Sequence, residues 1–234
     1  MKKQFDKYTV RALIAIFCIV IIPKMLLVFL SSPLRTPSDE IGTLGVASYL
    51  AGLDWSGVIP QSGYYGFGFT GLFYWVFLLT DNPFIIYKFF LFISVLLQSI
   101  GSFVTYYVCR KYKIINNNMV CILLSCVSGY MVVTRSNVIY NEQMLICISW
   151  LLLLLLFGLF YNQENQRKKK LYTLLTVLLL VYSLTVHVRA IVLFLALVCI
   201  IIIYALFEKK CLVDLRIFIP VFILGYLACQ FLSK

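Results

Sequence analysis

Residues 151–157, six consecutive leucines followed by Phe157, constrain this chain more than any other feature. A helix on the surface of a soluble domain keeps one face for water and one for the core. A strand of a membrane barrel alternates apolar and polar residues. This run does neither, and residues 198–203 repeat the pattern. A segment that is apolar all round faces lipid or lies wholly buried. Composition decides between those two, because 62% of the residues are hydrophobic and 12% are charged. Soluble domains carry roughly a quarter charged residues, so too little polar surface exists here to cover a globule. In lipid every backbone N–H and C=O must be satisfied within the protein, which leaves helices as the spanning structure. The predicted fold class is all-α, a polytopic membrane helical bundle forming a single module over 1–234.

A crossing takes about twenty residues. Stretches of suitable length and apolarity lie at 9–30, 84–109, 119–134, 142–161, 171–187, 190–207 and 217–232. The first is expected to stay as a transmembrane helix, since no small-residue cleavage site follows it. An eighth stretch, 67–80, is short and carries Gly68 and Gly71, which points to a re-entrant or interfacial segment. Charge placement gives the same answer. Short cytoplasmic loops are enriched in Lys and Arg. If 67–80 stays on the outer side, Lys2, Lys3, Lys7, Arg11, Arg110–Lys113, Arg167–Lys170, Lys209, Lys210 and Arg216 all share one side. If it crosses, that bias collapses. Seven spans are therefore predicted, with a cytoplasmic N-terminus, an external loop over 31–83 and residence in the cell (plasma) membrane. The net charge of +11 serves this orientation and is no sign of nucleic-acid binding. Six of the eight cysteines lie in apolar runs, where the side chain acts as a small hydrophobe. With one histidine and no CxxC pair, neither a disulfide framework nor a soft-metal site is expected.

The external loop holds four of the nine acids, Asp39, Glu40, Asp54 and Asp81, and two of the three tryptophans. Residues 41–53 read as a weakly amphipathic helix along the outer surface, with Trp55, Tyr64 and Tyr65 at headgroup level. Ionisable groups at a membrane edge are costly and mark functional sites. Asp39 and Glu40 follow the first span, Arg135 and Glu142 bracket the next external turn, and His187 and Arg189 occupy a third. Two arginines beside carboxylates suit an anionic head group, because the guanidinium fork matches phosphate. Structural roles compete for the same residues. Arg189 is placed to snorkel, His187 to pack, and Glu142 to face a helix N-terminus. Lys24, beside Pro23 in the first span, is expected to snorkel outward.

The order of these features resembles the first external loop of polytopic glycosyltransferases of the GT-C superfamily. The members it resembles are bacterial transferases of aminoarabinose to lipid A and the protein O-mannosyltransferases. Asp39-Glu40 opens the loop; Ala47, Leu50, Gly52, Asp54 and Trp55 echo one family stretch; Gly71-Leu72-Phe73-Tyr74-Trp75 echoes another. Lys88 falls near a position where relatives often carry Arg, and Glu142 near their second external acid. The proline usual before the aromatic helix is absent around 65–67, and the likeness covers only the N-terminal core module of longer relatives. The resemblance implies transfer of a sugar from a polyprenyl-phosphate donor to a hydroxyl on the outer face. Asp39 would be the catalytic base and Glu40 its partner in positioning the acceptor. Lys88, Arg135, Glu142, His187 and Arg189 would bind substrate. Some relatives recruit a divalent metal, for which Asp39 and Glu142 offer oxygen donors. Membrane lipid and a second membrane subunit are the further partners it implies. The competing readings are a non-catalytic membrane subunit, a flippase for lipid-linked sugar, a truncated inactive fragment, or an acyl- or phosphotransferase using the same acids.

Overall fold

A computed structural model of the chain describes residues 7–30, 38–54, 66–130 and 138–232. Among them the regular elements are helices, joined by turns. The elements are α1 (Lys7–Ile16), a π-helical turn (Phe17–Ile21), α2 (Ile22–Leu30), α3 (Ser38–Leu50), a 3-10 turn (Thr70–Phe73) and α4 (Val76–Leu79). There follow α5 (Pro83–Lys111), α6 (Asn118–Tyr130), α7 (Asn141–Tyr161), α8 (Gln166–Val186), α9 (Ala190–Glu208) and α10 (Leu215–Leu232). Among the described residues, five helical segments are long and apolar enough to cross a membrane: Tyr8–Leu30, Pro83–Lys111, Asn141–Tyr161, Gln166–Val186 and Ala190–Glu208. The chain is thus an all-helical integral membrane protein. Asn118–Tyr130, Leu215–Phe231 and Thr70–Leu79 are shorter apolar helices. Of the predicted span 119–134, the last four residues lie outside the described residues.

The chain divides into two compact units. One comprises residues 1–40 and 80–150, the other 41–79 and 151–234. In the first unit the span Tyr8–Leu30 presents a stripe at every fourth residue, Ala12, Ile16, Val20, Lys24 and Val28, all buried. Four-residue spacing places these side chains on one helix face. Its lower half packs with Tyr106, Cys109, Cys121 and Cys126 of α5 and α6.

The π-helical turn has a local cause. Pro23 has no N–H and so removes the bond that Ile19 C=O would receive four residues back. Here the Tyr130 hydroxyl donates to that carbonyl at 2.6 Å, and the Ile22 N–H reaches back to Phe17 O. Side-chain rescue of this kind is what lets proline sit inside a membrane helix.

Lys24 corrects one expectation. It points inward, 5% exposed, and its Nζ donates to Gly129 O at 2.7 Å while lying 5.5 Å from the Tyr130 ring centroid. The last carbonyls of a helix have no intrahelical donor, and a cation there also faces the negative end of the helix dipole. Lys24 therefore caps α6. Lys88 does the same for α2, donating Nζ to Val28 O.

These contacts order the unit along its length. One end carries the start of α1, the end of α5 and the start of α6, joined by Tyr106 Oη to Asn118 Oδ1 at 3.1 Å; Arg11, Arg110, Lys111 and Lys113 belong to it. The opposite end carries the ends of α2 and α6 and the starts of α5 and α7.

In the second unit α8 packs against α10 and α9. Gly66 N–H donates to Val186 O at 3.2 Å and Gly68 N–H to Thr185 O at 2.8 Å. The Tyr182 hydroxyl closes the contact by donating to Gly68 O. The approach is close enough that a Cβ on Gly66 would stand 2.0 Å from Thr185 O, so only glycine fits. All eight cysteines are free thiols.

Candidate functional site

Glu40 is the best-defined polar centre of the first unit. It lies in the first turn of α3, only 2% exposed. Its Oε1 accepts the Ile139 backbone N–H at 2.7 Å. The Tyr87 hydroxyl of α5 reaches both carboxylate oxygens, at 3.0 and 3.1 Å. Ile139 stands two residues before α7, where a helix start leaves N–H groups without intrahelical acceptors. The carboxylate meets that need, and the same turn is tightened by Gln143, whose Nε2 donates to Val138 O at 2.6 Å. Glu40 thereby ties the start of α3 to α5 and to the lead-in of α7.

Burial of Glu40 pushes its carboxyl up from the ordinary 4.5, while the Ile139 N–H and the Tyr87 hydroxyl pull it back; the net direction is upward. The result is a carboxyl whose proton affinity exceeds that of a surface glutamate, yet whose oxygens are both engaged.

Lys88 follows Tyr87 in α5, which starts on the Asn82 cap with Pro83 in its first turn. It is half-buried, bonded to Val28 O, and its Nζ lies 5.4 Å from the Phe84 ring centroid. Glu142 sits in the first turn of α7, half-exposed, where the helix dipole favours a carboxylate. Between Ile139 and Glu142, Asn141 is 1% exposed, and neither its Oδ1 nor its Nδ2 has a hydrogen-bond partner among the described residues. Leaving a buried polar group unpaired costs about 1–3 kcal/mol.

The predicted site residues are thus distributed unevenly. Glu40, Lys88 and Glu142 belong to the first unit, and the contacts above bring the first two to the same end of it as the start of α7. His187 and Arg189 belong to the second unit. His187 ends α8, 1% exposed, with Nδ1 accepting the Arg189 N–H at 3.0 Å. In the neutral ring that bond places the proton on Nε2. Arg189 itself is exposed and precedes α9. Asp39 lies in α3, but its side chain, like Arg135, Trp55, Tyr64 and Tyr65, lies outside the described residues.

Residues 41–53 were expected to form a surface helix with a weak amphipathic face. Instead α3 buries Glu40, Thr43, Leu44, Ala47 and Ser48, a helical face packed within the protein, and Thr43 O accepts the Thr70 hydroxyl at 2.6 Å.

No group of three His, Cys, Asp or Glu side chains converges among the described residues. Glu40 fits poorly as a ligand of a divalent ion, because its oxygens already accept from Tyr87 and Ile139.

Sequence reasoning missed Tyr87 and Asn141. Neither is ionised at neutral pH, and both were hidden at the polar margins of apolar runs. The signal for Tyr87 was present, since it lies next to Lys88 in the first turns after an Asn-Pro helix start.

Comparison with protein-family models, with curated proteins and with solved structures gives no match.

Proposed function

We propose that this protein is a membrane glycosyltransferase of the GT-C type, which moves a sugar from a polyprenyl-phosphate donor to a hydroxyl acceptor. The fixing of Glu40 carries the reading. A buried carboxylate held by Tyr87 of α5 and by the backbone just ahead of α7 anchors the start of α3, and Asp39 is the preceding residue of that helix.

In this reading the two acids divide the labour. Glu40 is a positioning residue with its oxygens engaged. Asp39 is the base that takes the acceptor's proton as the hydroxyl attacks the anomeric carbon. The bond from that carbon to the phosphate oxygen breaks, and the lipid phosphate gains negative charge, which fixed cations stabilise. Lys88 and Arg135 are the cations assigned to this role, with Glu142 and Asn141 orienting the acceptor. The orientation follows from charge: the end of the first unit bearing Arg11, Arg110, Lys111 and Lys113 faces the cytoplasm, and the loop 31–83 lies outside within a seven-span chain.

The test supplies membranes containing the full chain with a panel of polyprenyl-phosphate sugars and follows release of the lipid phosphate. Sugar-dependent release, with label appearing on a hydroxyl acceptor, is expected. Tight donor binding with no turnover across the panel would replace the proposal with a carrier or subunit role.

A further inference from the structure

We propose that the recess between the start of α8 and the start of α10 is a binding site for the head group of an anionic phospholipid. The recess measures about 450 Å³ and is lined by Lys169, Lys170, Asp214, Leu215, Arg216 and Ile217, among others. Binding sites for small groups begin at about 300 Å³.

Its framework is built rather than incidental. Gln163 Nε2 donates to Leu159 O at 2.9 Å and to Leu212 O at 2.8 Å. Lys169 Nζ donates to Gln163 Oε1 at 2.8 Å and to Cys211 O at 2.7 Å. The Asp214 N–H donates to Thr173 Oγ1 at 3.0 Å. These bonds hold the connection after α9 against α8 and fix the Lys169 ammonium at the wall of the recess.

The charge does not balance internally. Three cations line the space against one acid, and the acid is engaged at home, since Asp214 Oδ1 accepts the Arg216 N–H at 3.1 Å. The positive end of the α10 dipole lies beside it. Arginine's fork and a lysine ammonium are the groups that bind a phosphodiester.

Depth selects the lipid over a soluble anion. The basic turn 167–170 passes directly into the apolar run of α8 at Leu171, and Leu215 and Ile217 give the recess an apolar rim. Its cations therefore stand where the apolar belt begins, the depth of phospholipid head groups. Basic pockets between membrane helices bind anionic lipids in this way.

The test uses the full chain in detergent, with phosphatidylglycerol, phosphatidylcholine or inorganic phosphate added. Lipid retention is read by native mass spectrometry and stability by thermal unfolding. Phosphatidylglycerol should be retained in preference to phosphatidylcholine and should raise the unfolding temperature. The double variant Lys170→Ala/Arg216→Ala should bind it roughly thirty-fold more weakly, about fivefold for each basic side chain near an anionic lipid. Its unfolding temperature in phosphatidylcholine should match the parent. Arg110→Ala/Lys113→Ala, which removes as much charge from the other unit, should leave retention unchanged. Equal retention of the two lipids, equal loss in both double variants, or full stabilisation by inorganic phosphate alone would each overturn the proposal.

Discussion

Replacing Glu40 separates a carboxylate that holds the fold from one that merely happens to be buried. Glu40→Ala removes the carboxylate that accepts from two donors, the Ile139 N–H at 2.7 Å and the Tyr87 hydroxyl at 3.0 Å. Each stranded donor costs about 1–3 kcal/mol. Part of that loss is offset because no carboxylate has to be desolvated, so a net destabilisation of about 2–4 kcal/mol is expected. Glu40→Gln keeps an amide oxygen for Ile139 and turns its NH2 toward the tyrosine oxygen. It strands only the phenolic proton, at about 1–2 kcal/mol. Tyr87→Phe should cost a similar amount. The double variant Glu40→Ala/Tyr87→Phe should lose less than the sum of its parts, by about 1–2 kcal/mol, because the second change removes the donor that the first left stranded. Thermal or denaturant unfolding in one detergent, across the four proteins, reads all of this. Additive losses in the cycle, or a Glu40→Ala variant within about 0.5 kcal/mol of the parent, would refute the reasoning.

Three further outcomes follow from the geometry. Gly66→Ala should destabilise by about 1–3 kcal/mol through overpacking, since its Cβ would meet a backbone oxygen at 2.0 Å; Gly52→Ala, with open space and only a positive φ to strain, should cost about 1 kcal/mol, and unfolding temperatures rank the two. Lys24→Met should lose about 1–3 kcal/mol by uncapping α6 at Gly129 O, measured as a lower unfolding midpoint, whereas a lysine that snorkelled outward would be replaced at almost no cost. The raised carboxyl of Glu40 takes up its proton at higher pH in the folded state than in the unfolded one. Stability relative to Glu40→Gln is therefore fully present below the unfolded value of 4.5 and falls as pH rises through the folded one; a relative stability that rises across that window would contradict it.

Much of the fold was legible because hydropathy needs no partner to be read. The expected stretch 142–161 meets α7 within a residue, and 190–207 meets α9 equally closely. The stretch 171–187 stops short of α8, which begins at Gln166 on the Asn165 cap; a helix continues into the head-group zone after apolarity has ended. The inward turn of Lys24 was also available in principle, since it stands in register with Ala12, Ile16, Val20 and Val28. What outweighed the ordinary habit of lysine was a carbonyl 105 residues away, which no local pattern announces. The same holds for Glu40. Its acidity and its place after the first span marked it out, but its partners are a neutral tyrosine and a backbone N–H, neither of which carries a signature in sequence. The small residues of α3 read as a surface helix because Thr43, Ala47 and Ser48 are weakly polar; they are the residues that allow it to pack inside.

The central claim rests on two adjacent acids with different work. The measurement that tests it most directly compares sugar transfer from a polyprenyl-phosphate donor by the parent, Asp39→Asn and Glu40→Gln, in membranes holding equal amounts of each protein. Asp39→Asn should insert and accumulate normally while transfer is abolished, and Glu40→Gln should keep measurable turnover with a lowered unfolding temperature. Full activity of Asp39→Asn would contradict the account.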